Sequence, residues 1–390
     1  MAAEDTVIEE ARRAALEVLH YTARGPRGHL PRTAGWGYAE PYTRDWMIAA
    51  LGILTTGDAV LVETIRRMLV ALAAIQGPHG QIPGLADAPA DRGSSDTTPL
   101  FLIGLALYRR VTGEVALLED AAGRARAWMA YQSDDDRFLV AQQPTSDWRD
   151  EQWVLGHGLY VNTLVYAYLR LYGDDAQAAG LAAQMNRPIQ LLAHDTPHGA
   201  GGLLLPDAPY YALWAYKVWG STRFDLLGNS LAILTGLAPP ERARAMVAWI
   251  EAECAALWAR GDLALDLPPC LFPYIRPADP DWFPRYAEFN RPGEYHNGGV
   301  WPFVCGFYVA ALVAAGARAL AAQKLIALAA LVRPARNHPV AFGFNEWFRA
   351  QDGTPRGEDW QVWSAALYLY ALAAVEQGQA PFFSRRQAAA

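Results

Sequence analysis

A helical pattern that runs along the whole chain without a linker constrains the fold most strongly. Apolar residues recur at three- and four-residue spacing, as do Val7, Ala11 and Val18 near the N-terminus. The pattern predicts twelve helices, at residues 4–23, 44–54, 59–76, 99–111, 114–131, 151–171, 174–193, 224–236, 240–259, 301–314, 317–331 and 358–376. Almost no stretch alternates with a period of two, so strands are expected only as short hairpins in the loops.

The predicted helices follow one another in pairs. Short Gly-containing turns join most pairs, and long loops rich in Trp, Asp and Asn separate them, including one at residues 194–211. No consensus repeats at a fixed period, which argues against an open solenoid. We therefore expect an all-α fold, an (α/α)6 barrel whose double ring of about twelve helices gathers the long loops at one end. Residues 1–380 should form one domain, and residues 381–390 are expected to be a disordered tail.

Composition excludes several classes of function. The formal net charge is −7, and no cluster of Lys and Arg with interleaved aromatic residues stands out, so nucleic-acid binding is not expected. The three cysteines form no CxxC pair, which indicates buried thiols in a reducing cytoplasm rather than a zinc site or disulfides. We expect no cofactor and no metal. No signal peptide and no apolar run of membrane-spanning length is evident. The oligomeric state stays open.

Aromatic, amide and acidic residues alternate in three segments, at residues 294–302, 344–348 and 359–364. Aromatic faces stack on the CH surfaces of sugar rings, while carboxylates and amides bind hydroxyl groups. Cleavage of a glycosidic bond needs one acid to protonate the leaving oxygen and a second carboxylate to activate water or attack carbon. The loops offer Asp45, Asp96, Glu346 and the acidic cluster at residues 147–151. Glu346 lies between Asn345 and Trp347, where partial desolvation suits a general base.

Several of these segments resemble known families. Arg-Asp-Trp at residues 44–46, His-Asn-Gly-Gly-Val-Trp-Pro at 296–302, Asn-Glu-Trp at 345–347 and Gln-Val-Trp-Ser at 361–364 are similar to motifs of the neutral/alkaline invertases, glycoside hydrolase family 100. Families 63 and 37 and the glucosidase domain of glycogen debranching enzymes share the same barrel. Asp-Thr-Thr-Pro-Leu at 96–100 resembles the debranching and family 63 sequences more closely.

The resemblance implies an inverting α-glycosidase that acts on sucrose or another small α-glucoside. Asp150, in Trp-Arg-Asp at 148–150, matches the general acid of the relatives, and Glu346 would be the general base. Glu346 is expected to be ionised at neutral pH, and Asp150 to be held protonated. The expected substrate-binding residues are Tyr42, Arg44, Asp45, Trp46, Asp96, Trp148, His296, Asn297, Trp301, Trp347, Trp360 and Gln361.

Alternatives remain open at the level of the sequence. Asp147 rivals Asp150 as the acid, and Asp150 and Asp96 could instead cap helices. His296 is expected to be a hydrogen-bonding or structural residue. Invertases follow the acid with two arginines, whereas Glu151 and Gln152 follow here, so contacts to the leaving group are expected to differ. A mannosyl- or glucosylglycerate hydrolase, a sugar epimerase or isomerase, and a sugar-binding protein are the alternative functions.

Overall fold

A computed structural model describes residues 2–133, 138–191 and 201–383 of the chain. Within these ranges there are thirteen α-helices. They are α1 (Ala2–Thr22), α2 (Thr43–Thr56), α3 (Ala59–Ala74), α4 (Thr97–Thr112), α5 (Glu119–Ala130), α6 (Leu159–Tyr172), α7 (Asp175–Met185), α8 (Leu226–Leu234), α9 (Pro240–Ala259), α10 (Tyr286–Phe289), α11 (Pro302–Ala314), α12 (Arg318–Leu331) and α13 (Val362–Gln377). Among the described residues, no helix is long and apolar enough to cross a membrane.

The described strands are short and antiparallel, as the sequence predicts. Four of them, β1 (His157–Gly158), β2 (Ala212–Tyr216), β3 (Trp219–Asp225) and β4 (Leu271–Phe272), form one sheet in chain order. Two more, β5 (Trp347–Phe348) and β6 (Pro355–Arg356), form a hairpin. The sheet and the hairpin lie in segments that connect helices, so the helices carry the fold.

Six helices contact one another in a closed cycle. Helix α2 packs on α4, α4 on α6, α6 on α8, α8 on α11, α11 on α13, and α13 on α2. Helix α13 shows why such helices lie inside. Its sequence is apolar on nearly all sides, and a helix of that kind must be enclosed. Every residue of α13 from Val362 to Ala374 is indeed buried. Helices α1, α3, α5, α7 and α12 pack against members of this cycle.

A glycine allows the tightest of these contacts. A Cβ atom on Gly52 of α2 would lie 1.8 Å from the carbonyl oxygen of Ala366 in α13. Any larger residue at position 52 would therefore force α2 away from α13, which is why glycine is needed in the middle of this helix despite its cost there.

Four predicted helix boundaries are wrong by four residues or more. The helix predicted at residues 114–131 begins at Glu119, and the one predicted at 358–376 begins at Val362. The other two are off by eight residues. The helix predicted at residues 151–171 begins at Leu159, because the preceding residues form a loop and then pair through β1 with β2. The helix predicted at residues 174–193 ends at Met185, shortly before Pro188, which lacks an N–H group and disfavours helical backbone in the residue before it. Most of the predicted tail and part of the loop predicted at 194–211 lie outside the described residues.

Candidate active site

Residues from distant parts of the chain line one cavity of about 110 Å³. They come mainly from the N-terminal ends of α2 and α13, from the segment before α11, and from the loops that carry the predicted acid and base. The lining consists of Thr33, Tyr38, Tyr42, Arg44, Asp45, Trp148, Asp150, Tyr295, His296, Trp301, Glu346, Gln361 and Trp363. Nine of these residues were predicted from the sequence, including both proposed catalytic carboxyls.

Glu346 lies deep in this cavity and is 7% exposed. Its Oε2 atom accepts a hydrogen bond from the Glu358 N–H at 3.3 Å. Gly357, with a φ of +71°, makes room, since a Cβ there would lie 2.3 Å from that same oxygen. Burial, reinforced by the Asp45 carboxyl, raises the pKa of Glu346 to about 8. The expectation that Glu346 is ionised at neutral pH is therefore wrong for the substrate-free protein, because burial disfavours the charged form.

Asp45 is a second buried carboxyl in the same cavity, in the first turn of α2. Burial raises the pKa of Asp45 to about 7, although the neighbouring Arg44 guanidinium opposes the shift. The Asp45 carboxyl in turn raises the pKa of Glu346, since two like charges in a poorly solvated site repel. The cavity thus holds two buried carboxyls whose pKa values are both raised.

Asp150 stands at the mouth of the cavity, and its side chain is 62% exposed. Its Oδ1 atom accepts a hydrogen bond from the Tyr295 hydroxyl at 3.4 Å and lies 3.8 Å from His296 Nε2. Partial burial raises the pKa of Asp150 above its usual range, with Arg44 opposing and Glu151 reinforcing the shift. A raised pKa agrees with a carboxyl that donates a proton in the reaction. Asp150 caps no helix, because α6 begins only at Leu159.

Asp147 is placed differently from Asp150. It is 1% exposed and contributes nothing to the cavity lining. Its oxygens accept hydrogen bonds from the Arg149 N–H at 2.7 Å and from Gln142 Nε2 at 3.1 Å. The Arg149 guanidinium, which is fully buried, lies 3.6 Å from Asp147 and also pairs with Asp225. Asp147 therefore anchors the loop that presents Asp150.

Arg44 and Asp96 form a buried ion pair behind the cavity. Arg44 Nε donates to Asp96 Oδ2 at 2.6 Å, and its Nη2 atom donates to the Asp147 carbonyl at 2.9 Å. Asp96 is fully buried and does not line the cavity, and its side chain makes no capping hydrogen bond to α4. The structure thus gives Asp96 neither of its two predicted roles; it holds Arg44 in place.

Four other predicted binding residues lie outside the cavity lining. Trp46 is fully buried, with its indole N–H donating to the Arg32 carbonyl at 3.2 Å. Asn297 is also fully buried, and its amide accepts from the Ile275 N–H at 2.7 Å and donates to two carbonyls. Trp347 packs on Tyr295 with ring centroids 5.7 Å apart. Trp360 lies beside the cavity, where its indole donates to Phe342.

Sequence reasoning missed four lining residues: Thr33, Tyr38, Tyr295 and Trp363. Tyr295 and Trp363 occur within the segments described above, so their position in the sequence was the available signal, whereas Tyr38 lies in the loop before the motif at residues 44–46. The Glu346 carboxyl, and after it burial, raises the pKa of the Tyr38 phenol, which lines the same cavity.

His296 is neutral in this site. It is fully buried, and its ring stacks on Trp301 with centroids 5.5 Å apart. Burial and then the Arg149 and Arg44 guanidinium groups hold the pKa of His296 well below its usual range. A neutral imidazole has one donor and one acceptor nitrogen. Nε2 of His296 lies 3.8 Å from Asp150, and Nδ1 has no hydrogen-bond partner among the described residues, so the hydrogen-bonding or structural role expected from the sequence stays a prediction. Among the described residues, no group of His, Cys, Asp and Glu is arranged to hold a metal ion.

Three bulky residues around the cavity have left-handed backbone conformations. The φ angles are +45° at Tyr295, +40° at Phe344 and +58° at Trp360. Such conformations cost on the order of 1–3 kcal/mol for residues with a side chain, and they concentrate at functional sites. The Trp360 N–H donates to Gly343 and the Gln361 N–H to Phe344, which fixes the segment that follows Glu346.

Comparison with known proteins gives a family match for part of the chain. A family model described as alkaline and neutral invertase matches residues 218–377. The match includes Glu346 and the segment at 296–302, whereas Asp45 and Asp150 lie outside it. The chain is 30% identical over 153 residues to a probable alkaline/neutral invertase F of Arabidopsis thaliana, and 30% identical over 157 residues to cytosolic invertase 1 of Oryza sativa subsp. japonica.

These alignments cover 38% and 40% of this chain, and 28% and 26% of the two plant proteins. The chain thus matches only about a quarter of the length of these curated relatives. A solved structure, the family 63 mannosylglycerate hydrolase of Thermus thermophilus in complex with Tris and D-glycerate, superposes with a TM-score of 0.66 at 18% identity. It covers 92% of this chain and 99% of its own. The predicted resemblance to invertases and family 63 glycosidases is confirmed, and the fold is that of these neighbours.

Proposed function

We propose that this protein is a glycoside hydrolase that cleaves a small α-glucoside with inversion at the anomeric carbon. One observation carries the proposal: Asp150 and Glu346, from loops nearly two hundred residues apart, face one aromatic-lined cavity. The closed cycle of six helices, with further helices packed around it, supports an (α/α)6 barrel as the scaffold. The similarity to invertases over residues 218–377 supports the glycosidase assignment.

In the proposed reaction Asp150 protonates the glycosidic oxygen as the bond to the anomeric carbon breaks. Glu346, as carboxylate, takes a proton from a water molecule whose oxygen attacks that carbon from the opposite face. The products are the free sugar and the leaving group as an alcohol. Each turnover leaves Asp150 ionised and Glu346 protonated, so both must exchange a proton with solvent before the next turnover.

The protonation states limit the active fraction of the enzyme. With a pKa of about 8, Glu346 is ionised in about one tenth of substrate-free molecules at pH 7. The reactive form needs Glu346 ionised and Asp150 protonated at the same time, so kcat/KM should fall on both sides of a pH optimum. In this proposal Asp45, beside Arg44, binds hydroxyl groups of the sugar; Trp148, Trp301 and Gln361, which line the same cavity, form the walls.

A glycosylglycerate is the second candidate substrate. It is favoured by the structural likeness to the mannosylglycerate hydrolase along 92% of this chain. An epimerase or isomerase would need paired histidines, whereas His296 is the one histidine in the described lining. The free buried cysteines, together with the cytosolic invertase among the similar proteins, support a cytoplasmic location.

The direct test is a product assay with wild-type protein, Asp150→Asn and Glu346→Gln. The substrates are sucrose, trehalose, maltose, isomaltose, kojibiose, glucosylglycerate and mannosylglycerate. The wild type should release free sugar from at least one, and each variant should be at least ~100-fold slower on it. Release of no sugar from any of the seven would contradict the proposal.

A further inference from the structure

The candidate active cavity is too small to enclose a whole substrate. Its volume is about 110 Å³, against about 300–1,000 Å³ for pockets that enclose a drug-sized ligand. One sugar ring is the most that such a space can hold. Asp150, the proposed proton donor, lies at the mouth, whereas Glu346 is almost fully buried. The leaving group must therefore lie outside the mouth, against the surface around it.

An aromatic surface is exposed beside that mouth, formed by Tyr21, Trp36, His338 and Trp360. Trp36 stacks on His338 with ring centroids 3.8 Å apart and planes 13° from parallel. Trp360 lies 5.0 Å from Trp36 and 5.2 Å from Tyr21. Tyr21 and Trp36 are each 38% exposed. Contacts between neighbouring rings thus join the four into one aromatic cluster at the surface, and contiguous exposed apolar surface is a mark of binding sites.

The aromatic surface is connected to the cavity lining through neighbouring residues of the chain. Tyr38, which lines the cavity, follows Trp36 by two residues, and Trp360 directly precedes the lining residue Gln361. Between Trp36 and Tyr38, Gly37 packs so closely on Glu358 that a Cβ there would lie 2.3 Å from its carboxyl carbon. The backbone N–H of Glu358 in turn binds Glu346.

The rings are held in fixed positions. Trp360 has a φ of +58°. Its backbone N–H donates to the Gly343 carbonyl at 2.6 Å, and its indole N–H donates to the Phe342 carbonyl at 2.9 Å. Fully buried Asp359 accepts hydrogen bonds from the backbone N–H and the ring Nδ1 of His338, each at 2.9 Å, which sets the imidazole against Trp36. A surface ordered in advance binds a ligand with less loss of entropy.

We propose that the aromatic surface binds a ring of the leaving group by stacking, with Trp36 as its main contact. This inference rests on the proposed glycosidase function and narrows its substrate class. The preferred substrates carry a leaving group with a flat apolar face, either a second sugar ring or an aryl group. Glycerate and glycerol are acyclic and offer no such face, so their glycosides gain nothing from this surface.

The test compares Trp36→Ala with Trp258→Ala. Trp258 is a matched control because it is 57% exposed on α9, which contributes no residue to the cavity. The substrates are an α-glucosyl disaccharide, an aryl α-glucoside, α-glucosylglycerate and α-glucosyl fluoride, whose leaving group has no ring. Trp36→Ala should lower kcat/KM about tenfold on the disaccharide, on the aryl glucoside, or on both, as expected for loss of one aromatic contact. It should leave kcat/KM on the fluoride and on glucosylglycerate unchanged.

The two ring substrates distinguish a sugar from an aryl leaving group. Trp258→Ala should match the wild type on all four substrates. An equal loss on the fluoride and the ring substrates, or no loss on any, would overturn the role of Trp36 while leaving the glycosidase assignment in place. Failure of the wild type to cleave any of the four would instead remove the glycosidase assignment, and this inference with it.

Discussion

Replacing Glu346 with Gln should stabilise the protein at neutral and alkaline pH. The pKa of the Glu346 carboxyl is 4.5 when unperturbed and about 8 in the fold. A carboxyl whose pKa is raised on folding binds its proton more tightly in the folded state. Its contribution to stability is therefore complete below about pH 4.5 and is lost as the pH rises through 8. At pH 7 the loss is about 2.5 pH units times 1.36 kcal/mol, or about 3 kcal/mol.

The glutamine variant lacks this ionisation and should recover that free energy. For a chain of 390 residues, an unfolding entropy of about 2.1 cal/mol/K per residue converts 3 kcal/mol into a shift of about 4 °C in Tm. The assay is thermal unfolding, followed by circular dichroism, of wild type and Glu346→Gln between pH 4.5 and 8.5. The difference in Tm should grow with pH, from its smallest value at pH 4.5 to about 4 °C more at pH 7.

Glu241→Gln serves as the control, because the Glu241 side chain is 79% exposed. The difference in Tm between Glu241→Gln and the wild type should change little with pH. If the Tm difference of Glu346→Gln were also independent of pH, or fell as the pH rose, Glu346 would be ionised without cost in the substrate-free protein. The account of a protonated resting state would then be wrong.

Three further predictions concern the acidic residues. Asp147→Asn should lower kcat less than Asp150→Asn does, because Asp147 acts through the loop; the reverse order in a steady-state assay would make Asp147 the acid. Asp45→Asn should lower the pKa of Glu346 by removing a like charge, so Glu346→Gln should raise Tm at pH 7 by less in the Asp45→Asn background than in the wild type; an equal gain in both would contradict this effect of Asp45. In a crystal structure with bound sugar, the carboxyls of Asp150 and Glu346 should lie roughly 6.5–9.5 Å apart, against about 5–5.5 Å for a retaining pair.

Helical periodicity predicted the architecture because buried inner helices and amphipathic outer ones leave strong patterns. The exceptions lie where a local signal is weak. The segment before Leu159 has helix-compatible residues, yet it pairs with β2, a partner more than fifty residues away in the sequence. Single-sequence patterns carry no information about such long-range pairing. By contrast Pro188, shortly after the end of α7, was a local signal that the helix ends before it.

Motifs brought nine predicted residues to one candidate cavity, because glycines and aromatic residues cluster in the loops that line it. They did not reveal which side chain of a motif points inward. Asn297 belongs to the most specific motif and Trp46 to a weaker one, yet both are turned into the protein, where they bind backbone groups. Tyr295, next to His296, faces the cavity instead. The raised pKa of Glu346 likewise depends on Asp45, which lies three hundred residues away in the chain.

The most direct measurement is proton NMR of the anomer that forms first when the wild type cleaves an α-glucoside. A water molecule activated by Glu346 attacks from the face opposite the leaving group, so β-glucose should appear first and then mutarotate to the equilibrium mixture. Glu346→Gln, followed under the same conditions, should form neither anomer at a comparable rate. The appearance of α-glucose as the first product would mean retention of configuration, and it would contradict the role of Glu346 as a general base.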